Sequence, residues 1–261
     1  MDNRLRYERD GILFPISVLT AEEVERYRRA CDDLEQRLGG RPRTVETRQM
    51  HLHFRWAYEL ATHPRVLDAA ETLLGPDLLI WATELFAKHP GDGISVGWHR
   101  DEDYTGIDPG LATTAWIALA PSIPENGCLQ VIVKSHQSEK AESDADAAPV
   151  NVVLGPGEMS LHNGRILHGS ASNTSQQKRI GFVVRFVAPA ARPNEGQPGV
   201  LLARGTDDYG HFQIKDAPYD TDTEHALEQM RRSASSHLDL VLTNLRRKKT
   251  AALVSRKDLP R

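Results

Sequence analysis

Cysteine is scarce: Cys31 and Cys128 are the only two, and they lie far apart in the chain, so a disulfide-stapled scaffold is not expected. Long apolar runs are missing too. Every rich stretch is broken by charge or proline well before the roughly 20 residues that a bilayer crossing needs. The opening residues carry no apolar leader, so export is not expected and the cytoplasm is the expected compartment. Charge of one sign is also lacking. The 32 Lys and Arg against 36 Asp and Glu leave a net charge of -4, which argues against a nucleic-acid or anionic-membrane partner. The basic run Arg246, Arg247, Lys248, Lys249 reads as a solvated helix end. With no internal repeat and no linker, one domain is expected over residues 1–261, with a helical extension from about residue 220.

What is present falls into two textures. Thr20 and Glu23 have the form of a capping box, followed by Val24, Tyr27, Cys31 and Leu34 at helical spacing. A second helix is expected from about Trp56 to Leu74, ending at Gly75-Pro76. From Leu78 onward come short β-branched and aromatic runs: Leu78–Lys88, Thr113–Ala120, Leu129–Val133, Val150–Val153, Glu158–His162 and Ile180–Val187. That is the cadence of a barrel or double sheet. Residues Gln137–Ala148 read as an exposed loop and Ala190–Tyr219 as a long irregular excursion, followed by a helix from about Thr223 to Leu245.

Within the strand-rich region, His99 and Asp101 stand two residues apart, on one face if the segment is extended. His168 can supply a third donor. Two imidazoles and one carboxylate on one face of an octahedron leave three positions open, the arrangement of non-haem Fe(II) oxygenases. The same three ligands would also serve a zinc hydrolase. A non-catalytic binding protein that has merely kept the ligands is the other alternative. Arg179, opening an apolar strand, has the planar fork that pairs with a carboxylate, and a dicarboxylate co-substrate fits such a clamp.

These residues sit in blocks whose order and spacing carry a resemblance. Phe86-Ala-Lys-His-Pro-Gly-Asp, Gly97-Trp-His-Arg-Asp, Thr114-Ala-Trp-Ile-Ala-Leu, Glu125-Asn-Gly-Cys-Leu-Gln and His168-Gly-Ser-Ala-Ser-Asn-Thr-Ser, followed by Arg179, resemble the phytanoyl-CoA dioxygenase family from about Tyr7 to Tyr209. The resemblance implies a mainly β fold with flanking helices, a double-stranded β-helix or jelly roll of cupin-like form. It implies Fe(II) on His99, Asp101 and His168, with 2-oxoglutarate and O2 as co-substrates. The distal carboxylate of 2-oxoglutarate is expected at Arg179 and Ser170, with Trp116 beside it and Thr83 and Val96 lining the pocket. Because Asp101 is kept where halogenating relatives have Ala or Gly, hydroxylation is expected rather than chlorination.

For the substrate, Arg185 and His162 are candidate contacts, His51 is expected over the mouth of the site, and Asp103 follows the second ligand. Arg100 and Glu102 add charge nearby, which points to a small, polar substrate. Trp98 and Phe86 are expected to face away from the metal, and Cys128 is expected to pack.

Overall fold

The computed structural model describes residues 3–42, 47–138, 147–194, 196–218 and 224–232. Two β-sheets face each other without closing into a barrel, and helices cover the outer face of the larger one. The large sheet runs in the order β1 (Ile12–Ser17), β7 (Glu158–Asn163), β4 (Ala112–Ala118), β9 (Arg179–Val187), β2 (Leu78–Lys88), β10 (Gly199–Arg204) and β11 (Gln213–Lys215). The small sheet is β3 (Val96–His99), β8 (His168–Ser170), β5 (Leu129–Val131) and β6 (Val150–Val152). This is the expected mainly β, jelly-roll class.

Alternation along β9 shows how the large sheet serves two layers at once. Ile180, Phe182, Val184 and Phe186 pack into the cluster beneath the helices, while Val183 joins the cluster between the sheets. Arg179 and Arg185 share that inner face, because residues two apart on a strand point the same way. The helical layer contains α1 (Asn3–Asp10), α2 (Ala21–Arg37), α3 (Arg55–Ala61) and α4 (Pro64–Leu74). On α2 the capping box forms, with Thr20 N–H donating to Glu23 at 2.7 Å and Glu23 N–H to Thr20 Oγ1 at 3.3 Å. Val24, Tyr27, Cys31 and Leu34 are buried on its inner face.

Three elements differ from expectation. The helix expected over 56–74 is two helices, because Pro64 lacks the N–H that would continue the first and instead opens the second. The stretch 190–219 is not wholly irregular: β10 pairs antiparallel with β2, and β11 pairs with β10. α1 was not anticipated; it is short, polar and buries only Tyr7, whose hydroxyl lies 2.8 Å from Thr113 Oγ1. Residues 224–232 are helical, with Leu227 and Met230 buried in the core. The remainder of the expected terminal helix and the basic run 246–249 fall outside the described residues, as does most of the loop expected at 137–148. No helix among the described residues is long and apolar enough to cross a membrane.

Candidate active site

The two sheets converge on one cavity. β3 and β8 are antiparallel neighbours, and His99 and His168 are direct cross-strand partners, with ring centroids 4.1 Å apart. Asp101 reaches them by a route that strand alternation does not give. The strand ends at His99, and Asp101 has turn geometry (φ -61°, ψ -32°) at the entry to α5 (Glu102–Thr105). That turn swings the carboxylate inward, so the two donors converge through a bend rather than along one extended face. Arg100, between them, is carried the other way and donates to the carbonyls of Ser135, at 2.7 Å, and Arg165. It is buried there and is not a charge at the mouth.

One donor atom each from His99, Asp101 and His168 lies within 4.8 Å of the others, close enough to meet on a single ion. The surrounding bonds fit a metal. His99 Nδ1 lies 2.7 Å from the Gly97 carbonyl and His168 Nδ1 2.9 Å from that of Ile166. A carbonyl only accepts, so each Nδ1 carries the hydrogen and each Nε2 presents a lone pair. Burial pushes the His168 imidazole down to about 3, which keeps it neutral and able to ligate. Burial would raise the Asp101 carboxyl, but the nearby Arg185 guanidinium and the imidazoles outweigh it and hold the group well below the usual carboxylate range. Thr114 Oγ1 donates to Asp101 Oδ2 at 2.7 Å, whereas Oδ1 stands 3.9 Å from both His99 Nε2 and His168 Nε2. The donor set is therefore the facial two-histidine, one-carboxylate arrangement.

At the other end of the cavity lies Arg179. It is 2% exposed, donates to the Gly127 carbonyl and has its guanidinium 5.2 Å from the centre of the Trp116 ring. No acidic group pairs with it among the described residues, and burial lowers its pKa to about 10. Ser170 stands two residues past His168 on β8 and lines the same wall, as do Val96 and Trp116. Gly127 explains the Asn-Gly-Cys block: its φ of +72° favours glycine, and a Cβ there would lie 2.2 Å from the Ala171 carbonyl oxygen. Gly181, opposite Phe86 on β2, is equally constrained. A Cβ there would lie 2.0 Å from Cζ2 of Trp116.

The remaining candidates divide. His162 lines the cavity, fully buried, with Nε2 3.6 Å from Asp101 Oδ2 and its ring 4.8 Å from that of His168. Arg185 lines it too, but its guanidinium is held 2.9 Å from Glu84 Oε2 and 3.4 Å from Asp101 Oδ1. Thr83 is not in the cavity wall. A bulge between Ile80 and Ala82 on β2 reverses the alternation beyond it, so Thr83 turns toward the helices and bonds His51 Nδ1 at 3.0 Å. His51 is buried with it, behind the sheet. The same reversal brings Phe86, expected to face away, into the cavity wall. Asp103 lies outside that wall, and Trp98 is 47% exposed rather than core. Cys128 is buried, as expected.

Residues the sequence reading passed over include Glu84, Thr114 and Lys88. Glu84 takes part in a buried charge chain, 2.8 Å from Arg48 and 2.9 Å from Arg185. The signal for both Glu84 and Lys88 was charge within a mostly apolar strand, since they are the two charged residues of β2. A larger concavity of about 650 Å³ lies against α2, rimmed by chains such as Glu22, Arg26 and Arg29. Its acidic side chains form no cluster that could hold a metal among the described residues, and the chemistry is assigned to the smaller cavity between the sheets.

A model of the phytanoyl-CoA dioxygenase (PhyH) family matches residues 7–181. The chain is 25% identical over 154 residues to peroxisomal phytanoyl-CoA dioxygenase of Homo sapiens, covering 50% of this chain and 46% of that protein. It is 26% identical over 147 residues to ectoine dioxygenase of Sphingopyxis alaskensis, covering 51% and 48%. The chain thus spans about half the length of these curated relatives. Among solved structures, a non-heme monooxygenase described as a ThoJ–Ni complex superposes with a TM-score of 0.80 at 31% identity, over 93% of this chain and 99% of that one.

Proposed function

Because the chain belongs to the phytanoyl-CoA dioxygenase family, we propose that it is an Fe(II)- and 2-oxoglutarate-dependent dioxygenase. It hydroxylates an unactivated C–H bond of a small, polar metabolite or natural-product intermediate. The observation that carries this reading is the shared cavity: three metal donors at one end and a buried guanidinium without an acid at the other. A zinc hydrolase has no use for that second feature. When bound, Fe(II) and 2-oxoglutarate supply the oxidising chemistry, in which O2 delivers one oxygen atom to the substrate C–H and the other to succinate as CO2 leaves.

The chain's own residues do the rest. His99, His168 and Asp101 would hold the ion, and Thr114, by donating to Asp101 Oδ2, leaves Oδ1 as the carboxylate oxygen facing both imidazole Nε2 atoms. Arg185, braced by Glu84, fixes that carboxylate from the other side, which is the part assigned to it here in place of a substrate contact. Arg179 and Ser170 take the distal carboxylate of 2-oxoglutarate, with Trp116 packed over the guanidinium. Phe86, Leu129 and Val183 keep water from that end. His162 is assigned to the substrate side, the one candidate contact that lines the cavity without an ion pair of its own beyond Asp101. A polar substrate accords with that imidazole and with the relative named for ectoine.

The test is succinate and CO2 release, dependent on O2 and Fe(II), across a panel of small polar metabolites. Asp101→Ala and His168→Ala should each abolish it. Turnover without O2, or succinate retained by either variant, would remove the proposed site.

A further inference from the structure

Among the described residues Lys88 is the one buried lysine, 2% exposed, and no acidic side chain pairs with it. It is the cross-strand partner of Arg179 in the β2–β9 ladder. Two basic side chains therefore stand side by side next to the cavity wall that Arg179 and Ser170 form, where an unpaired buried charge is costly. The contacts of Lys88 are all to neutral oxygens. Nζ donates to Ser170 Oγ at 2.7 Å, to the Ser170 carbonyl at 3.4 Å, to the Gly127 carbonyl at 3.5 Å and to the Ala171 carbonyl. An ammonium has hydrogens to give and no lone pair. Ser170 Oγ must accept from it, so the hydroxyl hydrogen of Ser170 is turned away from Lys88. Ser170 and Arg179 line the same cavity, and that is the direction left to it.

We propose that Lys88 is a positioning residue for the co-substrate: by holding Ser170 Oγ as an acceptor, it aims the serine hydroxyl hydrogen at the carboxylate that Arg179 pairs with. Lys88 does not itself touch 2-oxoglutarate. The inference rests on the oxygenase reading above, and adds a residue and a direction of hydrogen bonding to it.

The experiment is an anaerobic titration of the Fe(II)-loaded protein with 2-oxoglutarate, followed by the visible charge-transfer band of the chelate. It is run on wild type, Lys88→Met, Ser170→Ala and the double variant, and repeated with 2-oxobutyrate, which lacks the distal carboxylate. Lys88→Met and Ser170→Ala should each weaken 2-oxoglutarate binding about tenfold, the size of one charge-assisted hydrogen bond. The double variant should be little worse than either single one, 2-oxobutyrate binding should not change, and Lys88→Arg should restore most of the affinity. Losses that multiply in the double variant, or an equal loss with both oxo acids, would overturn the proposal. So would wild-type affinity in Lys88→Met. If Lys88→Met does not fold, Lys88→Arg decides: affinity as weak as that of Ser170→Ala contradicts the proposal, and near wild-type affinity supports it. A wild-type protein that shows no chelate band with any oxo acid would instead sink the oxygenase reading itself.

Discussion

At the level of single residues, Arg179, Gly181 and Lys88 each carry a separate expectation. Arg179→Ala should raise the 2-oxoglutarate concentration needed for half-saturation by about a hundredfold, since a buried charge-assisted pair is worth on the order of 3 kcal/mol. Metal affinity, measured in the same titrations, should hardly move; an unchanged 2-oxoglutarate requirement would remove the assigned ion pair. Gly181→Ala should displace the Trp116 ring, which a Cβ would meet at 2.0 Å, and weaken 2-oxoglutarate binding while the metal site stays intact. Tryptophan fluorescence and metal affinity measured together check this. The third expectation concerns pH. Burial, then the charge of Arg179, lowers Lys88 from 10.5 to about 7, while Asp92 and Cys128 act weakly the other way. Between about 7 and 10.5 the unfolded chain holds a proton that the folded, ligand-free protein lacks, so stability should rise with pH across that window. A bound carboxylate restores the proton, so 2-oxoglutarate affinity should fall over the same interval. Affinity that is flat from pH 7 to 9 contradicts this.

Residue chemistry also decides what was legible beforehand. His99, Asp101, His168 and Arg179 were singled out by the order and spacing of the blocks that carry the family resemblance, and the structure brings all four to one cavity. Their convergence was expected, but its route was not readable: Asp101 turns inward through the start of α5, against a rule that holds only for extended chain. Phe86, placed by alternation, was put on the wrong face for a similar reason, since one bulged residue on β2 inverts every side chain after it, and the same bulge turns Thr83 away from the pocket where the resemblance put it. No local pattern marks such a bulge.

Elements were the more readable level. The capping box and apolar stripe of α2 follow from hydrogen-bond geometry and the helical period, and both form. Thr20→Ala should cost about 1 kcal/mol of stability. Because α2 lies on the far side of the large sheet, 2-oxoglutarate affinity should not change, and a coupled loss in both would mean that the helical layer shapes the cavity. The period alone joined α3 to α4, although Pro64 marked the break. β10 was missed because it joins the sheet through pairing with β2. That contact is far apart in sequence, and such contacts leave no local signature.

Across the whole molecule, the arrangement is a division of labour between two sheets. The small sheet contributes His99, His168 and Ser170, and the large one contributes Thr114, Trp116, His162, Arg179 and Arg185. Neither sheet alone holds a site. The buried Arg179 guanidinium without an acidic partner, beside Lys88, should make the ligand-free protein markedly less stable than the complex with Fe(II) and 2-oxoglutarate. At a hundredfold excess over its dissociation constant, a ligand adds about 2.7 kcal/mol, so the two together should raise the melting temperature by several degrees beyond metal alone. 2-Oxobutyrate, lacking the distal carboxylate, should raise it less.

The most direct measurement is an anaerobic crystal structure of the protein with Fe(II) and 2-oxoglutarate, the metal located by its anomalous signal. One iron should be bonded to Nε2 of His99, Nε2 of His168 and Oδ1 of Asp101, with the far carboxylate of 2-oxoglutarate on Arg179 and Ser170. Iron bound elsewhere, or a co-substrate whose far carboxylate points away from Arg179, would contradict this.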